Sequence, residues 1–85
     1  MKDYISITKE NADRILDLDP WETVVILEIL LTADESGTTT ERKALEALII
    51  SKKRAEKALA GLEAKGFINR DGATITVLGW DQYQL

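Results

Sequence analysis

The chain has 85 residues, 45% of them hydrophobic and 31% charged, which allows one modest core and is too apolar for a disordered segment. It contains no cysteine and no histidine, which excludes disulfides, thiolate nucleophiles, imidazole bases and the usual zinc ligand sets. The net charge of −4 argues at first against a nucleic-acid partner, yet residues 1–41 hold ten acids against three bases while residues 42–85 hold eight bases against five acids, so one basic face on an acidic body is expected.

At the N-terminus Met1-Lys2-Asp3-Tyr4 lacks the apolar stretch of a signal peptide, and Tyr4-Ile5-Ser6-Ile7 reads as a short extended lead-in. Thr8 is placed to cap a first helix from about Lys9 to Leu18, with Ala12, Ile15 and Leu16 facing inward, so lead-in and first helix together occupy residues 1–18. A second helix over residues 20–35 has a strong start: Asp19 as N-cap, Pro20 at the first helical position, and Glu22 closing a capping box. Its centre, Val24 to Leu31, contains Glu28 and is far shorter than the roughly 20 residues of a membrane span. A cytoplasmic protein of a bacterial cell or its nucleoid, with no membrane partner, is the expectation.

That same centre is apolar almost all round, so it needs cover on two sides. The first helix is one candidate cover and a symmetry-related copy, in a homodimer, is the other. Trp21, Trp80 and Tyr83 add large side chains of the kind enriched at interfaces.

Ser36-Gly37 ends the second helix, Thr38-Thr39-Thr40 forms a β-prone linker, and Thr38 with Glu41 suggests another capping box. A third helix is predicted over residues 41–49 with Leu45, Leu48 and Ile49 at helical spacing, then a break at Ile50-Ser51. Ser51 caps a fourth helix that runs to Lys65 and stops at Gly66, making a helix-turn-helix of residues 41–65. A hairpin over residues 67–78 follows, with Asp71-Gly72 as a two-residue type I′ turn and Arg70 opposite Ala73. This register sets Ile68 opposite Ile75 on a buried face and Asn69 opposite Thr74 on a wet one. Residues 79–85 form a C-terminal segment. The predicted fold class is mainly α with a small β-hairpin, a winged helix-turn-helix, in one domain.

On the fourth helix Ala55, Ala58, Leu59 and Leu62 recur at core spacing. Burying them points Lys53, Lys57, Ala60 and Ala64 outward, flanked by Arg54, Glu56 and Gly61. Cations near a helix N-terminus, with small residues where a duplex backbone passes, suit a major-groove helix. Ser51 and Lys52 at its start, Arg42 and Lys43 at the start of the preceding helix, and Arg70 beside the hairpin tip complete the candidate DNA contacts. A solvated charged face with alanines present as helix formers is the plainer alternative. No phosphate loop, nucleophile with a neighbouring base, or ligand cluster is present, so no enzymatic activity, cofactor or small-molecule substrate is expected.

Several segments resemble the N-terminal winged-helix domain of phage replisome organisers and DnaD-like replication initiation proteins. They are Tyr4 to Ile7, the Trp21 helix ending in Leu30-Leu31-Thr32-Ala33, Leu59 to Ile68, and above all Ile75-Thr76-Val77-Leu78-Gly79-Trp80-Asp81-Gln82-Tyr83-Gln84. The resemblance covers nearly the whole chain and implies a domain that binds origin DNA and often self-associates. Duplex DNA binding in replication initiation is the leading expectation. A small transcriptional regulator on the same fold, and a winged helix that binds protein without DNA contact, are the alternatives.

Overall fold

The computed structural model describes residues 7–83, so most of the extended lead-in, Tyr4 to Ser6, and the last two residues lie outside the described residues. The elements are α1 (Lys9–Leu16), α2 (Pro20–Thr32), β1 (Thr38–Thr40), α3 (Glu41–Leu45), α4 (Lys52–Ala64), β2 (Ile68–Asp71), β3 (Thr74–Val77) and a 3₁₀ turn, Trp80–Tyr83. The architecture is mainly helical with one three-stranded antiparallel sheet in the order β1-β3-β2. None of the helices among the described residues is long and apolar enough to cross a membrane.

Local capping sets most helix starts. The Thr8 hydroxyl accepts the Asn11 N–H at 3.2 Å to open α1. At α2 the capping box is complete: Asp19 Oδ1 accepts the Glu22 N–H at 2.8 Å and Glu22 Oε1 accepts the Asp19 N–H at 3.2 Å. Ser51 Oγ accepts the Arg54 N–H at 3.2 Å to open α4. At the other end of α4 the Phe67 N–H donates to Leu62 O and the Gly66 N–H to Glu63 O, a Schellman closure that also drives Phe67 into the core.

Several expected boundaries shift. The first helix stops at Leu16, which is 79% exposed; Ile15 faces inward as expected, joined there by Asn11 and Leu18 in place of Leu16. Burying Asn11 is tolerable because its Nδ2 donates to Gln82 Oε1 and its Oδ1 accepts from Arg14. The second helix ends at Thr32, not residue 35, because Asp34 folds the chain into a turn, its Oδ1 accepting from the Ser36 N–H and hydroxyl and the Thr38 N–H. Thr38 is therefore a strand residue, and Thr40 performs the capping expected of it by accepting the Lys43 N–H. The third helix is one short stretch ending at Leu45, so the expected helical position of Ile49 becomes a fully exposed site, 101%, in the connection to α4.

The hairpin keeps the expected buried face in a different register. Arg70 pairs with Ile75, not Ala73, and Ile68 with Val77. The two-residue turn is thus Gly72-Ala73, with positive φ at Gly72 (61°) and none at Asp71, the pattern of a type II′ turn and not of type I′. Shifting the pairing by two residues leaves side-chain alternation unchanged, so Ile68, Ile75 and Val77 all remain buried.

The core brings together Val25, Ile26, Ile29 and Leu30 of α2, Leu59 and Leu62 of α4, and the inner face of the sheet. Each such buried aliphatic side chain contributes about 1.5–3 kcal/mol. The two covers of α2 are α4 and α3, with a smaller contact from β3; α1 is not the principal one. Trp21, Val24 and Leu31 remain exposed along α2. Tyr83, expected at an interface, is buried in the core, and Trp80 lies half-buried on Gly37 with its indole N–H donating to Glu35 O at 3.0 Å.

Candidate functional site

The four buried residues of α4 are those expected, Ala55, Ala58, Leu59 and Leu62, and this orientation decides where its cations go. Lys52, Lys53, Arg54 and Lys57 are all exposed, as are Ala60 and Ala64 farther along the same outward face. Ser51 is exposed beside them, its hydroxyl oxygen engaged as the cap. Gly61, expected to flank this face, turns instead towards α2: a Cβ there would sit 1.9 Å from Glu22 Oε2. The glycine thus permits a close helix crossing and leaves the outward surface to the lysines and alanines.

Two of the eight cations of the basic half are withdrawn into ion pairs. Lys65 Nζ lies 2.5 Å from Glu22 Oε1, joining the end of α4 to the start of α2. Arg70 was expected at the hairpin tip as a phosphate contact. Its side chain is only 17% exposed, with Nη1 3.0 Å from Glu56 Oε2, Nε 3.3 Å from Glu63 Oε1 and Glu41 Oε1 at 3.7 Å. Hydrogen bonds to the Glu56 carboxylate, against the cost of partial burial, raise its pKa further. Because position 70 faces the same side of the sheet as Ile68, Arg70 turns towards the helices, and three carboxylates hold it there. It braces β2 against α3 and α4, leaving Asp71 as the charged residue of the hairpin tip.

Arg42 and Lys43 are exposed on α3. Lys43 also lies near enough to Asp34 to help hold that carboxyl below its ordinary value, the larger causes being the hydrogen bonds from Ser36 and Thr38. Among the described residues no ion pair involves Arg42, Lys43, Lys52, Lys53, Arg54 or Lys57.

One participant could not be assigned from the sequence. The guanidinium of Arg54 lies over the ring of Trp21, 5.1 Å from its centroid, and the two side chains, with Asp19, Lys57 and Ala58, line an open hollow of about 220 Å³ between the start of α2 and the first two turns of α4. Positions 21 and 54 belong to different helices, so no local spacing reports their meeting.

Comparison with protein-family models, with curated proteins and with solved structures found no match to this chain.

Proposed function

We propose that this chain is a duplex-DNA-binding winged-helix module of phage or mobile-element type, with α3 and α4 as its helix-turn-helix and the β2–β3 hairpin as its wing. One observation carries it: among the described residues Lys52, Lys53, Arg54 and Lys57 are exposed and outside any ion pair on one helix, while the neighbouring Lys65 and Arg70 are consumed in structural pairs. Selective sparing of the cations on the outward face supports an anionic partner more than general solubility, for which any surface position would serve. The exposed Ala60 and Ala64 leave room for a duplex backbone to approach. Contacts from the wing are weak in this arrangement, since Arg70 is occupied. A role in replication initiation rests on the resemblance of the Trp21 helix, Leu59 to Ile68 and Ile75 to Gln84 to replisome-organiser domains.

Self-association accompanies this proposal. Exposed Val24 and Leu31 lie along one side of α2, which supports an isologous contact between two copies and a spacing of two recognition helices by about one duplex turn.

Titration of labelled duplex and single strands at several salt concentrations tests the DNA contact. The parent should prefer duplex, and Lys53→Ala/Lys57→Ala should flatten the slope of log affinity against log salt by roughly 0.9 per lost phosphate contact. Equal binding of parent and variant at every salt concentration refutes it.

A further inference from the structure

Trp21 is an exposed tryptophan at the start of α2, on a helix whose inner face already fills the core, so its packing is not needed to close the fold. Its contact with Arg54 has a directional consequence. A surface arginine normally samples many rotamers, and ordering it against a ligand costs conformational entropy. A guanidinium held over an indole ring is already restrained, and among the described residues the Arg54 side chain has no hydrogen-bond partner, so its N–H groups are free to donate. Lys57 lies one turn further along α4 and lines the same hollow, so two cationic side chains border one open depression.

We propose that this hollow is a seat for a backbone phosphate of duplex DNA at the edge of the α4 contact, with Arg54 and Lys57 as its ligands and Trp21 as the residue that positions Arg54. It rests on the DNA-binding function proposed above and adds α2 to the interface. Asp19, the fifth lining residue, opposes an anion. Its Oδ1 is committed to the Glu22 N–H as the α2 cap, so the carboxylate is retained for folding and tempers the seat. Asparagine caps a helix as well as aspartate does, which makes Asp19→Asn a charge probe with little effect on folding.

The experiment combines fluorescence anisotropy of a labelled duplex with tryptophan emission of the protein, thermal melts confirming that each variant is folded. Trp21→Ala and Arg54→Ala should each weaken binding several-fold and flatten the salt slope, and the double variant should be no weaker than Arg54→Ala alone, since the indole acts through the guanidinium. Trp21→Phe should retain most of the affinity because a flat ring remains. Saturating duplex should change the emission of the parent but not of Trp21→Phe, and Asp19→Asn should tighten binding. If the parent binds duplex with a slope that Lys53→Ala/Lys57→Ala flattens, yet Trp21→Ala leaves affinity and slope unchanged, the phosphate seat is overturned and the α4 contact stands. Failure of the parent to bind duplex overturns both.

Discussion

Replacing Gly61 with alanine should destabilise this protein, although the same change inside most helices stabilises. An interior glycine costs about 1 kcal/mol relative to alanine in helix propensity, so that much is the expected gain. Against it stands a methyl group 1.9 Å from Glu22 Oε2, where an ordinary contact is beyond 3.4 Å. The Glu22 side chain is only 6% exposed and cannot simply swing into solvent without giving up its partners. Those partners are the Asp19 N–H, a capping bond of about 1 kcal/mol, and Lys65, whose side chain is 47% exposed and whose pair is therefore held to about 1 kcal/mol. Losing both against the propensity gain leaves Gly61→Ala about 1 kcal/mol less stable, a fall in Tm of roughly 4–8 °C for a domain of this size. In a Glu22→Ala background there is no carboxylate to strike, so the same substitution should raise Tm. Thermal melts of the four proteins in the cycle measure a coupling of about 2 kcal/mol. A rise in Tm for Gly61→Ala in the parent itself would refute the crossing geometry of α2 and α4.

At the hairpin turn, Gly72→Val should cost on the order of 1–2 kcal/mol through its positive φ, whereas Asp71→Val, at ordinary φ, should stay within about 0.5 kcal/mol; equal costs would restore a type I′ turn. The Asp34 carboxyl, held below its usual range by the Ser36 and Thr38 hydrogen bonds, favours the fold above the unfolded carboxyl value near 3.9, and that preference is lost as pH falls through the lower folded value. The parent should therefore melt above Asp34→Asn at pH 7, and the two should converge near pH 2; a gap independent of pH overturns the charge assignment. Sedimentation should show a homodimer at tens of micromolar that Val24→Glu/Leu31→Glu dissociates, and a mass near 9.5 kDa for the parent at high concentration would refute association through α2.

Contacts between neighbours three or four residues apart were readable directly from the order of the residues. Asp19 and Glu22 form their capping box, Ser51 caps α4, and Gly66 closes it, because each bond links groups that a single turn of helix already brings together. The stripe Ala55, Ala58, Leu59 and Leu62 was legible for the same reason, and with it the exposure of Lys53 and Lys57. Side-chain alternation likewise identified the buried face of the hairpin, though not its register, since a shift of two residues preserves the face and only turn geometry distinguishes the alternatives. Tertiary structure alone decided which partners distant residues would meet. It covered α2 with α3 and α4, withdrew Arg70 among Glu41, Glu56 and Glu63, set Glu22 against Gly61 and placed Trp21 beneath Arg54. Long cationic and aromatic side chains reach across element boundaries, and whether a charge faces solvent or a carboxylate depends on the packing of whole helices, which no local period encodes.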